Sequence, residues 1–289
     1  MSAVNLETDE GSGPPVGPDP ASSTRKRRRR RGLYEPIPAR HYGLIALISL
    51  LVLFFIWWFA SSRGLVDNLF LPAPGQVLDS FKTWAADGTL WTDTKDSVTR
   101  ILLGFLVSSL LAVPIGIMMG IYKSVEAAVE PPVDFIRYMP AVAFIPLTLI
   151  WFGTNETQKI VILFIGVFFQ EVLLVMDNVK TVPKQYIEMA YTLGLSTPAV
   201  VWQVIVRYSL PGIVDTLRIC MGWAWTYLVV AELVGAESGL GFRIQTAQRY
   251  LDTPLILAGI IWIGVLGLIF DFAFKIIYNR SFPYLRVGR

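Results

Sequence analysis

Uncharged apolar runs alternate with short polar segments along this chain, and the lengths of those runs predict membrane-crossing helices. Tyr42–Ala60 carries no charge and ends on Trp57 and Trp58, a run close to the ~20 residues that cross hydrocarbon, with aromatic residues at the expected interface. That length suits a retained anchor, because the apolar core of a cleaved signal peptide is only about 7–15 residues. Five further runs follow near 99–121, 133–152, 158–177, 212–234 and 255–278. The pattern therefore predicts six spans and an all-α integral membrane fold.

Two connections are too long to be simple turns. From Leu71-Pro72-Ala73-Pro74 to Ser97, the spacing of Val77, Leu78, Phe81 and Trp84 predicts an amphipathic helix lying on the membrane surface. In 179–211, two short helical patterns flank Gly194. Tyr186, Ile187, Ala190, Tyr191 and Leu193 give an apolar face before it. After it, Ser196 suits an N-cap and Pro198 an early helical position, and Val201, Val204, Ile205 and Tyr208 recur at helical spacing until Leu210-Pro211. The segment reads as a helix–turn–helix hairpin with Gly194 at its corner, where a residue without Cβ accepts positive φ.

Composition agrees with a bilayer protein: 54% of the 289 residues are hydrophobic and 16% charged, where soluble domains hold about 25% charged. One cysteine and one histidine exclude a disulfide framework, a thiolate cluster and a multi-histidine metal site. The net charge of +3 resides in residues 1–40, where the run Arg25-Lys26-Arg27-Arg28-Arg29-Arg30-Arg31 follows an acidic, Gly/Pro/Ser-rich stretch. Such a tail is expected to be disordered and to hold the N-terminus in the cytoplasm against anionic headgroups. Without interleaved aromatics it is not expected to bind nucleic acid. Residues 41–289 then form the transmembrane domain.

Charge sets the expected orientation. With the N-terminus inside, the inner segments carry Lys123 and Arg137, then Lys180, Lys184 and Arg207, then Arg280, Arg286 and Arg289. The outer loop 62–96 sets Arg63, Lys82 and Lys95 against Asp67, Asp79, Asp87, Asp93 and Asp96. Both termini and the hairpin are thus expected in the cytoplasm.

The hairpin resembles the cytoplasmic "EAA" loop of bacterial ABC importer permeases of the nitrate/sulfonate/taurine/bicarbonate type. Its matching positions are Glu188-Met189-Ala190, Gly194, Val204 and Leu210-Pro211, with Met189 where the pattern has alanine. Other fragments are similar to that family in the same order: Leu71-Pro72-Ala73-Pro74, Ser97-Val98-Thr99-Arg100 with Gly104-Phe105, Met139-Pro140, Ile145-Pro146-Leu147, Trp151-Phe152-Gly153 and Ser238-Gly239-Leu240-Gly241. The resemblance implies a type I ABC importer permease fold in the bacterial inner membrane, working as a homodimer. It also implies two copies of an ATP-binding subunit, docked on Glu188, Ala190, Gly194, Val204, Leu210 and Pro211, and a periplasmic or lipid-anchored solute-binding protein. The solute it implies is nitrate, taurine, an alkanesulfonate or bicarbonate, or else a vitamin precursor. The chain lacks a G-x-x-x-x-G-K-[ST] loop, so ATP is expected to be held and hydrolysed by another polypeptide, with no enzymatic activity, cofactor or metal here. A stand-alone secondary transporter is the alternative, and would show repeated halves.

Polar groups within apolar runs are costly and mark candidate sites. Gln170, Glu171, Arg218, Trp223 and Trp225 are candidates for lining a solute path. Bland roles compete: Glu171 pairing with Arg218, Arg218 pairing with Asp215 at i,i+3 spacing, and tryptophans that only pack. Glu232 and Asp271 are expected to snorkel or pair locally at span ends. Gly116-x-x-x-Gly120 permits close helix approach beside Pro114, Cys220 suits packing, and His41 an interface.

Overall fold

The structure, a computed structural model, describes residues 38–288. The tail expected to be disordered, residues 1–40, lies almost wholly outside the described residues. The chain divides into two compact units, residues 1–52 and 53–289. Of the first, the described part is the first half of α1 (Ala39–Ser62), whose apolar side chains stand exposed. Everything below concerns the second unit, whose regular elements among the described residues are all helices.

Four long helices carry this unit: α3 (Thr89–Ile121), α6 (Glu156–Lys180), α9 (Arg207–Leu233) and α11 (Thr253–Ser281). Helix α3 starts ten residues earlier than the apolar run predicts, at Thr89, and its 33 residues reach about 50 Å at 1.5 Å per residue. Its first turns are polar in sequence yet buried, because Asp93, Ser97 and Arg100 find partners inside the protein.

Helix α3 lies along α6 through a row of small residues at every fourth position: Gly104, Ser108, Ala112, Gly116 and Gly120. A Cβ on Gly116 would sit 2.6 Å from the Val172 carbonyl oxygen, and one on Gly120 would sit 2.5 Å from Val179 Cβ. The helices approach this closely only because those side chains are missing, and close backbone approach is what holds helices together where lipid removes the hydrophobic drive.

The segment expected to form a single span near 133–152 is not one helix. Helix α4 (Lys123–Arg137) is followed by a 3₁₀ turn over Ala141–Phe144 and by α5 (Ile145–Phe152), bent 85° from it. Pro140 supplies no N–H and pushes Met139 out of the helical region, whereas Pro146 sits in the first turn of α5 where proline is tolerated. The two halves pack at different heights. Val133 of α4 meets Met119 and Met176, and Ile145 of α5 meets Ile162 and Ala231.

The helix expected over 71–97 exists as α2 (Pro74–Ala86), with its apolar face packed within the protein. Val77 and Trp84 are buried, and Phe81 packs on Trp262 of α11 with ring centroids 5.4 Å apart. Trp57 Nε1 donates to the Pro72 carbonyl oxygen at 3.1 Å, fixing the chain just before α2. A short helix that the hydrophobic pattern does not reveal, α10 (Leu240–Arg249), joins α9 to α11.

Candidate functional site

The hairpin forms where the sequence predicts it, between the C-terminal end of α6 and the start of α9. Helix α7 (Lys184–Thr192) ends in a full left-handed cap at Gly194, φ +82°. Leu195 N–H donates to the Ala190 carbonyl at 3.1 Å and Gly194 N–H to Tyr191 at 2.9 Å, the double bond of a Schellman motif. Nothing lies within 4 Å of where a Gly194 Cβ would be, so backbone conformation alone demands glycine there. Ser196 precedes α8 (Thr197–Val200) as expected, with Pro198 in its first turn, but its hydroxyl makes no capping bond.

The second arm departs from the expected short helix closed by Leu210-Pro211. Helix α8 passes through a π-helical stretch, Val201–Val206, straight into α9, and Pro211 lies inside that continuous 37-residue rod. The wider π winding takes up the local mismatch just before a proline that cannot donate to the preceding turn. The second arm thus runs without a break into α9, which packs on α3, α6, α10 and α11.

Packing divides the hairpin into an anchored and a free face. Ala190, Val200 and Ile205 are buried with Val179 and Val182, and Ile187, Leu195 and Val204 close over them against Ile117 and Ile121 of α3. Tyr186, Tyr191 and Leu193, expected on the same apolar face, point outward instead. Leu193 is 74% exposed and Trp202 69%, with Met189 and Glu188 on the same exposed surface. These large apolar side chains are held outward beside the polar Glu188, away from the packed face of the hairpin.

The candidate path residues separate by burial. Glu171 is fully buried, accepts from Ser108 Oγ at 3.0 Å and leaves Oε1 without a partner. It does not pair with Arg218, which binds Asp215 at 3.0 Å and Asp271 at 3.7 Å. Trp225 packs in the core on Phe270, whereas Trp223 is exposed. Gln170 and Arg218 are half-buried. Cys220 is a buried packing residue. Along α9, Asp215, Ile219, Gly222, Trp223 and Thr226 form an exposed stripe on a helix otherwise packed by α3, α6, α10 and α11.

At the other end of the same helices lies a buried polar network that the sequence reading misses. Glu232, expected to reach water, is fully buried: its Oε1 accepts from Arg100 Nη1 at 2.8 Å and Ser97 Oγ at 2.7 Å, its Oε2 from Gly241 N–H at 2.8 Å. Asp93 accepts from Gly239 N–H, Arg243 Nε and Trp84 Nε1. A Cβ on Gly239, φ +118°, would meet Glu232 Oε1 at 2.5 Å, so only glycine lets the 234–239 loop close over the pair. The available signal was two opposite charges, Arg100 and Glu232, each in an apolar run and each too costly to bury alone.

Among the described residues, five helices are long and apolar enough to cross a membrane and one bent pair passes the same test, which places the chain among multi-pass membrane proteins. Residues 112–282 match the model of the family described as the binding-protein-dependent transport system inner membrane component. The chain is 36% identical over 252 residues to the taurine transport system permease protein TauC of Escherichia coli, covering 86% of this chain and 92% of that protein. It is 33% identical over 233 residues to the putative aliphatic sulfonates transport permease protein SsuC of Bacillus subtilis, covering 80% and 84%. In structure it is similar to a chain of the inward-facing MetNI methionine ABC transporter, with a TM-score of 0.57 at 17% identity over 68% of this chain and 97% of that one. The chain belongs to the binding-protein-dependent transport system inner membrane components, and its fold is that of an ABC importer permease.

Proposed function

We propose that this chain forms, with a second copy of itself, the solute path of an ABC importer in a bacterial inner membrane, and that its hairpin receives the stroke of a separate ATP-binding subunit. The observation that carries this reading is the hairpin's construction: an exposed apolar face with Glu188, a glycine-capped corner, and a second arm continuous with α9. Closure of two ATP-binding subunits would draw two such hairpins together and rotate the attached rods. Lys180, Lys184 and Arg207 flank the hairpin and support its cytoplasmic placement, as the chain ends would also be.

The exposed stripe of α9, with Trp223 and Gly222, supports pairing of two copies about a shared axis, because a central helix otherwise packed on all sides leaves only this face for the path or the partner. The relatives named for taurine and aliphatic sulfonates favour a small organosulfur or oxyanion solute delivered by a binding protein. On this reading the chain performs no covalent chemistry.

Crosslinking tests the docking face. With Met189→Cys in a Cys220→Ser background, co-expressed with its ATP-binding subunit, a short thiol crosslinker is expected to join the two chains. A cysteine at Leu268, exposed on α11, is expected to give no such product; equal yields from both positions would refute the assignment.

A further inference from the structure

The two carboxylates bound to Arg100 are held very differently. Glu232 is sealed in the core and, with the Ser238 carbonyl at 2.7 Å, fixes one side of the guanidinium. The other side, Nε and Nη2, is gripped by both oxygens of Glu156, at 2.5 and 2.7 Å, in the parallel two-bond geometry that arginine uses for oxyanions. Arg100 is 5% exposed, whereas the Glu156 side chain is 60% exposed. The fork is therefore built and immobile, and the group filling it faces solvent on the first residue of α6.

A second buried cation stands beside it. The Lys159 ammonium donates to the Thr154 carbonyl at 2.9 Å and lies 3.6 Å from Glu156 Oε1, with its side chain almost entirely enclosed. Enclosing two cations is costly unless an anion sits between them. Without Glu156, Arg100, Lys159 and Arg243 would face Glu232, Asp93 and Asp96 across the network in equal number, so the vacated fork would carry no excess repulsion toward an incoming anion.

We propose that the Arg100 fork and Lys159 form an oxyanion-binding site, at the end of the bundle opposite the hairpin, that Glu156 occupies as a built-in stand-in and that a small sulfonate or sulfate can take over. The ligand receives two parallel N–H bonds from Arg100 and one from Lys159, the donors that now hold the carboxylate. Glu156 acts as a competitor: it keeps the cations paired when no anion is present and swings into water when one arrives. The site is independent of the hairpin's role.

The test is thermal unfolding of the purified full chain, wild type and Glu156→Gln, titrated with sodium methanesulfonate and separately with sodium sulfate, against sodium chloride at matched ionic strength. Glu156→Gln is expected to be stabilised by the oxyanions with a half-point at least tenfold lower than wild type, and adding Lys159→Met is expected to weaken that effect at least fivefold. A response to methanesulfonate alone would assign the site to organic sulfonates, and a response to both to oxyanions generally. Identical titrations for wild type and Glu156→Gln, or no difference from chloride in either, would overturn the proposal. If Glu156→Gln proves unstable, Lys159→Met in the wild-type background carries the test: it is expected to weaken the wild-type response to methanesulfonate at least fivefold, and an unchanged half-point would overturn the proposal.

Discussion

Arg100 shows how one residue can carry two interactions of opposite energetic character. Its bond to Glu232 is dry and shared with Ser97 and Gly241, while its bond to Glu156 is open to water. Removing one member of a buried pair leaves an uncompensated charge and costs about 3–5 kcal/mol, whereas a water-exposed pair contributes about 0–1 kcal/mol. Thermal unfolding in detergent is thus expected to show the largest loss in Glu232→Ala and a smaller one in Glu156→Ala, whose carboxylate reaches water but whose removal leaves Lys159 and one side of the Arg100 fork enclosed without it. Equal losses would mean that the burial difference has no energetic meaning. Gly194 illustrates a different kind of demand, since space surrounds it and only its positive φ excludes a side chain.

At the scale of elements, the small-residue row on α3 sets how near α6 can come. Gly120→Val forces a Cβ onto Val179 and is expected to destabilise the bundle by about 1–3 kcal/mol, the usual cost of overpacking. Gly264→Ala on α11 meets no atom within 4 Å and serves as the control, expected to leave the melting temperature unchanged or slightly raised. Similar destabilisation by both would contradict the assignment of the Gly120→Val cost to the α3–α6 contact. The long spans were legible in the sequence because an uncharged run of sufficient length has few other places to go, and the hairpin was legible because Gly194 and Pro198 punctuate it. Three things were not. The start of α3 looks polar because its partners come from α9 and α10, more than 130 positions away. The bend at Met139-Pro140 hides inside a run whose composition suits a straight helix. The continuity of α8 with α9 depends on a π-helical stretch that no apolar period announces.

At the scale of the whole molecule, the two ends of one set of helices carry different devices. One end bears a rigid elbow with an exposed apolar face, and the other a buried ionic network closed by Gly239. The rods α3, α6 and α9 connect them, and on the proposed function they are the route by which work at the elbow would reach the far end. The most direct measurement is solute uptake by proteoliposomes holding this chain with its ATP-binding subunit and binding protein, comparing wild type with Gly194→Val and Glu188→Ala. A side chain at the left-handed corner costs about 1–2 kcal/mol in backbone energy and loosens the elbow. Uptake per ATP hydrolysed is expected to fall at least tenfold in Gly194→Val and measurably in Glu188→Ala, with membrane insertion intact; wild-type uptake per ATP in both would contradict the account.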